Sequence, residues 1–221
     1  MSSKNMAASV HARLAQIARR TGRPFQELLQ YYAMERFLYR LSKSPHAARF
    51  VLKGALMLRV WDAPMARPTK DIDLLGRLEN SLENLSTVVR EVCALGVEPD
   101  GLVFRPTTVK SERITEDADY EGVRTRFDGL LARAMPAKWR RRRLRVPDGV
   151  VLHHADVPKR DRAWVGAVPV TSAARTLVDC AADHVAPDFL SSAASQALAR
   201  GMVSRPQATA VERAAAAGLG A

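Results

Sequence analysis

Cysteine and long apolar runs are scarce in this chain of 221 residues. Its only cysteines, Cys93 and Cys180, lie far apart, so the sequence predicts neither a disulfide framework nor a zinc site. No apolar run approaches the ~20 residues of a membrane span, and the charged N-terminus lacks the apolar core of a secretion signal. We therefore expect a cytoplasmic protein that has no membrane partner, with both cysteines in the core.

The composition is that of a folded protein with an excess of positive charge. Hydrophobic residues make up 47% and charged residues 26% of the chain, which excludes wholesale disorder. The net charge is +11, so a partner rich in phosphate is the first expectation. One basic run contains an aromatic residue that can stack on a base, and its predicted RNA-binding residues are Lys138, Trp139, Arg140, Arg141, Arg142 and Arg143. A solvated linker would have the same composition.

Hydrophobic periodicity predicts a mixed α/β organisation in the first part of the chain. Helical spacing indicates two helices before residue 44 and a third from Leu82 to Leu95, which Ser81 can cap. Alternating polar and apolar residues predict a strand from Thr69 to Gly76. Three short segments rich in β-branched and aromatic residues, at 101–105, 109–114 and 120–127, predict an antiparallel meander.

The composition changes near Met135-Pro136, and this change predicts the domain organisation. We expect a first domain at 1–135, a basic linker at 136–146 and a smaller, mainly helical region at 147–221. In that last region, Arg175 and Asp179 have the spacing of an ion pair within a helix. Ser204 and Gln207 have the spacing of a capping box that opens the third helix of the region.

The feature with the most chemical content is Asp71-Ile72-Asp73, within the strand predicted from Thr69 to Gly76. Residues two apart in a strand face the same side, so the two carboxylates would lie close together. Because neighbouring carboxylates repel, a divalent cation stabilises such a pair, and Mg²⁺ or Mn²⁺ also binds triphosphate oxygens. The pair therefore indicates metal-dependent phosphoryl or nucleotidyl transfer, although two aspartates at this spacing are also common on solvated surfaces.

The surroundings of the pair favour a nucleotide site over a solvated surface. Lys53-Gly54 stands at the start of a predicted helix, where free backbone N–H groups can bind phosphate and Gly54 allows a close approach. Thr69 and Lys70 add a hydroxyl and a cation directly before the carboxylates. The leucines that follow Asp73 make the strand half-buried, which is typical of a site at the edge of a core.

The chain contains the segment Phe50-Val-Leu-Lys-Gly-Ala-Leu-Met-Leu and, after it, Arg67-Pro-Thr-Lys-Asp-Ile-Asp-Leu-Leu. Together, in this order, the two segments resemble the AbiEii/AbiGii-type toxins, and the resemblance covers roughly residues 10–134. It implies a nucleotidyltransferase fold with a mixed sheet, and transfer of nucleotides from a nucleoside triphosphate with the help of Mg²⁺ or Mn²⁺. It also implies tRNA as the acceptor, as in some members, and a cognate antitoxin protein as a partner.

The resemblance also implies roles for individual residues. By position, Asp71 and Asp73 would be the catalytic metal ligands. Gly54 and Thr69 would lie by the triphosphate, with Lys53 nearby.

After Ala134 the chain departs from the pattern of these toxins, which continue with a third carboxylate and a basic helix. Asp128 precedes a glycine and Asp148 lies between Pro147 and Gly149, so both suit turns better than a ligand strand. The chain continues instead with Arg143-Leu-Arg-Val-Pro-Asp-Gly-Val-Val-Leu-His-His-Ala-Asp and, later, Val168-Pro-Val-Thr-Ser-Ala-Ala-Arg-Thr-Leu-Val-Asp. With these segments, roughly residues 140–221 resemble the C-terminal region of AbiEi-type antitoxins. A natural fusion, a remnant of an operon and an engineered chimera all agree with this arrangement.

Two functions remain open from the sequence. The first is a metal-dependent nucleotidyltransferase toxin that transfers nucleotides from a nucleoside triphosphate to RNA, at the 3′ end of tRNA. The alternative is a catalytically impaired toxin–antitoxin fusion that acts as a protein-binding module. Direct promoter binding is less favoured, because no winged-helix pattern is apparent.

Overall fold

A computed structural model describes the chain over residues 3–60, 69, 71–115, 121–131, 149–154, 157–165, 168–182 and 185–217. The helices are α1 (Ser3–Thr21), α2 (Phe25–Lys43), α3 (Ala55–Val60), α4 (Leu82–Ala94), α5 (Ala173–Ala182), α6 (Pro187–Ala199) and α7 (Arg205–Ala217). The strands are β1 (Phe50–Lys53), β2 (Asp71–Gly76), β3 (Leu102–Thr115), β4 (Glu121–Leu131), β5 (Gly149–His154), β6 (Arg162–Val165) and β7 (Val168–Thr171). Within these ranges, no helix is both long and apolar enough to cross a bilayer.

The chain forms two compact units that interleave along the sequence. The first combines Met1–Ala47 with Leu78–Val151, and the second combines Ala48–Arg77 with Leu152–Ala221. The mixed α/β fold expected from the periodicity is confirmed. The division at 136–146, predicted from the change in composition, stays a prediction, because the linker lies outside the described residues.

In the first unit, the paired helices α1 and α2 bury an apolar stripe that includes Val10, Leu14 and Leu28. Phe37 is 2% exposed and packs with Phe104 and Phe127 at ring-centroid distances of 6.0 and 4.9 Å. Such aromatic contacts add to the free energy gained by burying the rings.

Helix α4 of the first unit begins where the sequence predicts. The Ser81 hydroxyl accepts a hydrogen bond from the Asn84 N–H at 3.3 Å, which satisfies one of the free donors at the helix start. The helix buries Cys93, as expected, and burial raises the pKa of its thiol to about 12.

The predicted meander of three strands is wrong in its strand count. Residues 102–115 form the single strand β3, which pairs with β4 in antiparallel fashion. The register shifts between Arg105 and Lys110, and this irregularity coincides with the gap that separated two predicted strands. The pairing continues on both sides of the shift, as a β-bulge allows.

In the second unit the strand order is β2-β1-β7-β6. β1 pairs antiparallel with β2 and parallel with β7, and β7 pairs antiparallel with β6. The parallel pair brings the C-terminal part of the chain beside the segment that follows α2. Leu52 and Val170, which pair here, are more than a hundred residues apart in the sequence.

Helices α5, α6 and α7 complete the second unit around their own apolar cluster, which includes Cys180 and Leu190. Two local predictions are confirmed here. Arg175 Nε donates to Asp179 Oδ1 at 2.7 Å within α5. At the start of α7, the Gln207 side chain accepts from the Ser204 N–H at 2.8 Å and from the Ser204 hydroxyl at 3.0 Å.

Candidate active site

Strand β2 places Asp71 and Asp73 on one face of the second unit, as the alternation predicts. Ile72 between them is 2% exposed and Leu74 is 3% exposed, so the opposite face of the strand is buried core. Both aspartates are half-buried, and Oδ1 of Asp71 is shielded from solvent. The two carboxylates therefore share one partly enclosed face at the N-terminal end of β2.

Lys53 lies directly opposite Asp73 in the antiparallel pairing of β1 and β2. Its side chain is buried, with the residue only 7% exposed. A buried ammonium group is costly unless an opposite charge compensates it, and a directly opposed pair of strand positions brings side chains within reach of each other. The strand register therefore brings a cation to the same face as the two carboxylates.

Gly54 directly follows β1 and lies close to the Asp73 carboxylate. Its φ of +76° belongs to the left-handed region, and a Cβ built on it would lie 2.3 Å from Oδ2 of Asp73. The Asp73 carboxylate thus occupies the space that a side chain at position 54 would fill. Only glycine meets both requirements, since other residues are strained at this φ and would displace the carboxylate.

Thr69 fixes the backbone at the start of β2. Its hydroxyl accepts a hydrogen bond from the Asp71 N–H at 3.4 Å and donates one to the Asp71 carbonyl at 3.3 Å. Thr69 therefore acts on the main chain that carries the first carboxylate. Lys70, predicted beside it, lies outside the described residues, as do all six predicted RNA-binding residues from Lys138 to Arg143.

The donor set suits a hard divalent cation, because carboxylate oxygens are the ligands that Mg²⁺ and Mn²⁺ prefer. The absence of a side chain at Gly54 leaves room for the Asp73 carboxylate on the shared face. Asp71 and Asp73 therefore fit the role of a ligand pair. Across the described ranges, no group of three or more His, Cys, Asp or Glu residues could hold a metal ion. Asp128 lies on β4 in the first unit, and Asp148 is not among the described residues.

The sequence analysis missed the support that β7 gives to β1. Thr171 is fully buried, and its hydroxyl donates to the Leu52 carbonyl at 3.4 Å and lies 2.5 Å from the Thr176 hydroxyl. Leu52 directly precedes Lys53-Gly54, so β7 holds the strand that carries this corner. Because the partner of β1 lies more than a hundred residues away in the sequence, no local pattern indicates this pairing.

A family model described as "Nucleotidyl transferase AbiEii toxin, Type IV TA system" matches residues 36–146, which is half of the chain. This chain belongs to the AbiEii family. The match includes Lys53, Gly54, Thr69, Lys70 and both aspartates, and it confirms the toxin part of the predicted resemblance. The AbiEi-like resemblance of the C-terminal part stays a prediction.

Two solved structures from Helicobacter pylori are similar to this AbiEii chain. One, titled as a candidate nucleotidyltransferase, has 14% identity and a TM-score of 0.43, covering 86% of this chain and 93% of that one. The other, JHP933, has 12% identity and a TM-score of 0.44, covering 86% of this chain and 90% of that one. No curated protein matches the chain. No residue's role follows from similarities this weak.

Proposed function

We propose that this AbiEii protein is a metal-dependent nucleotidyltransferase that transfers nucleotides from a nucleoside triphosphate to RNA, with the 3′ end of tRNA as acceptor. The observation that carries the proposal is the packing of the Asp73 carboxylate against the bare backbone of Gly54, on the same face as Asp71. The family match covers this arrangement. As a toxin of this family, it would act in the cytoplasm and have a cognate antitoxin protein as partner.

The residues of the site have separate tasks in this reaction. Asp71 and Asp73 would hold Mg²⁺ or Mn²⁺, which supplies positive charge against the triphosphate and the attacking oxygen. Lys53 adds a fixed positive charge opposite Asp73. Thr69 holds the backbone of Asp71, and Gly54 leaves room for the Asp73 carboxylate on the shared face. Lys70, which directly precedes Asp71, would add a further cation for the triphosphate.

The transfer itself is an in-line displacement. The 3′-hydroxyl oxygen of the RNA forms a bond to the α-phosphorus of the nucleotide, and the bond from that phosphorus to the bridging oxygen breaks. Pyrophosphate leaves with the bonding electron pair, and the hydroxyl proton passes to solvent. The basic residues from Lys138 to Arg143 would contact RNA phosphates in the acceptor.

Transfer of label from nucleoside triphosphates to total tRNA, in the presence of Mg²⁺, tests this function. We expect Asp71→Asn and Asp73→Asn each to lower the rate by about 100-fold or more, equivalent to a barrier increase of about 2.7 kcal/mol, because each removes a ligand charge. Asp128→Asn, on β4 of the first unit, is the matched control and should keep the activity. Full activity in Asp71→Asn, with an unchanged unfolding temperature, would contradict the assignment.

One observation favours the alternative of a catalytically impaired fusion that binds protein. The described ranges provide two carboxylates for a metal but no third. In this alternative no triphosphate labels the RNA, and the antitoxin-like region 147–221 docks on a toxin or on the first domain of the chain itself, an association that titration measures. Incorporation by the wild-type chain that is lost in Asp73→Asn would exclude this alternative.

A further inference from the structure

Trp164 is the most exposed large hydrophobic residue among those described, with 69% of its surface accessible. It lies on β6, the last strand in the order β2-β1-β7-β6. Tryptophan is usually well buried, because its large apolar surface gains free energy when it leaves water. Its exposed indole ring offers an aromatic face on which a nucleobase can stack.

The strand register places the first residues of β6 at the same end of the strands as the aspartate pair. β1 and β7 run parallel, with Leu52 beside Val170, so both terminate at this end. β2 and β6 run antiparallel to these neighbours, so both begin there. Three strand spacings separate β2 from β6, which corresponds to about 14 Å.

The same register puts Trp164 on the face that carries the aspartates. Asp73 lies opposite Lys53, and Thr171 lies opposite Arg162. Lys53 and Thr171 are neighbours across β1 and β7, because each directly follows a residue of the pair Leu52–Val170. One face of the sheet therefore carries a row of four residues, which are Asp73, Lys53, Thr171 and Arg162. Trp164 is two residues after Arg162 and therefore faces the same side.

Two exposed basic residues lie in the turn that directly precedes the strand of Trp164. The 3₁₀ turn Lys159–Asp161 directly precedes β6, and Lys159 and Arg160 are both exposed, the Arg160 side chain at 84%. Asp161 forms ion pairs with two arginines: its Oδ1 lies 3.9 Å from Arg160 Nε, and its Oδ2 lies 3.8 Å from Arg175 Nη1. The turn thus presents two exposed cations at the end of the strands where the aspartate pair lies.

We propose that Trp164, Lys159 and Arg160 bind a single-stranded stretch of RNA, with a base stacked on the Trp164 ring and phosphates against the two cations. Exposed aromatic rings beside cations are the usual means of binding single strands without sequence preference. The distance of a few strands lets the same RNA reach the carboxylates with its 3′ end. This inference rests on the proposed function for its choice of RNA as the acceptor.

Fluorescence anisotropy of a short, 5′-labelled single-stranded RNA with the full-length protein tests the surface. We expect Trp164→Ala to raise the Kd about 5- to 100-fold, because it removes a base-stacking ring, and Trp164→Phe to restore most of the affinity. Val165→Ala is the matched control, since Val165 is 40% exposed on the opposite face of the same strand, and it should leave the Kd unchanged. Lys159→Ala and Arg160→Ala should each reduce the slope of log K against log salt by about 0.7.

The outcomes separate this inference from the proposed function. An unchanged RNA Kd in Trp164→Ala overturns the inference, and a changed association state in that variant would assign the surface to a protein instead. If label transfer occurs and Trp164→Ala alters neither RNA affinity nor the KM for RNA, the inference fails while the proposed function stands. If RNA binding depends on Trp164 but no triphosphate labels the RNA, the surface is confirmed and the proposed function fails.

Discussion

At the scale of single residues, Gly54 determines whether the aspartate pair can form. Its positive φ and the 2.3 Å approach of Oδ2 of Asp73 to a built Cβ are two independent reasons for glycine. Gly22 offers a direct comparison, because its φ is +70° but a Cβ there meets nothing within 4 Å. Substitution of Gly22 would therefore cause backbone strain alone, whereas substitution of Gly54 would cause the same strain and also displace a carboxylate.

Replacement of Gly54 by alanine should abolish the activity of the site. We expect Gly54→Ala and Gly22→Ala each to lower the free energy of unfolding by about 1–3 kcal/mol, because both force a non-glycine residue into the left-handed region. Only Gly54→Ala should also stop label transfer, since its Cβ pushes Asp73 away. Thermal unfolding and the tRNA labelling assay measure the two effects. Equal transfer rates in the two variants would argue against a role for this contact.

At the scale of elements, Asp100 joins α2 to the start of β3. Its carboxylate accepts hydrogen bonds from Arg40 at 2.7 Å, from Arg36 at 2.8 Å and from the Leu102 N–H at 2.9 Å. Burial alone raises the pKa of this carboxyl group, but the hydrogen bonds and the Arg40 charge outweigh it, so the pKa lies below its ordinary value of 3.8. The sequence analysis did not single out this cluster, because its members are about sixty residues apart.

The Asp100 cluster should make stability depend on pH in the acid range. A lowered pKa means that the charged carboxylate stabilises the fold above pH 3.8, and that this contribution is lost as the pH falls below 3.8 toward the folded-state value. We expect Asp100→Asn to cost about 3 kcal/mol at pH 7, because two arginines lose their partner. The difference from wild type should shrink below pH 3.8.

Denaturant unfolding of both proteins between pH 7 and pH 3 measures this dependence. Glu35→Gln, on an exposed position of α2, is the control and should change stability by less than about 0.5 kcal/mol. A difference between wild type and Asp100→Asn that stays constant with pH would rule out the assigned ion pairs.

At the scale of the whole molecule, the family match and the compact units divide the chain differently. The match ends at residue 146, whereas the segment Ala48–Arg77, which carries the aspartates, forms a unit with Leu152–Ala221. Within that unit, Val157 is 1% exposed and packs against Val51 and Leu75, which lie two residues from Lys53 and Asp73 on the same two strands. The C-terminal part thus belongs to the structure that holds the site, whatever its family resemblance.

A chain that ends at residue 146 should therefore lose both its fold and its activity. It keeps the entire family match but leaves β1 without β7 and removes Val157 from the core cluster, which exposes a sheet edge and apolar surface. We expect aggregation on size-exclusion chromatography and no cooperative thermal unfolding. A chain that ends at residue 217 is the control and should behave like the full chain. A soluble, active 1–146 protein would show that the C-terminal part is dispensable.

Local patterns in the amino-acid order were enough to predict several features. The shared face of Asp71 and Asp73, the Ser81 cap and the Arg175–Asp179 ion pair depend on spacings of two, three and four residues, which the geometry of a strand or helix converts directly into contacts. The contacts of Asp73 with Gly54, of Thr171 with Leu52 and of Asp100 with two arginines join distant parts of the chain. Such contacts leave no periodic signal, because strand pairing and packing across the fold, rather than neighbouring residues, bring their partners together.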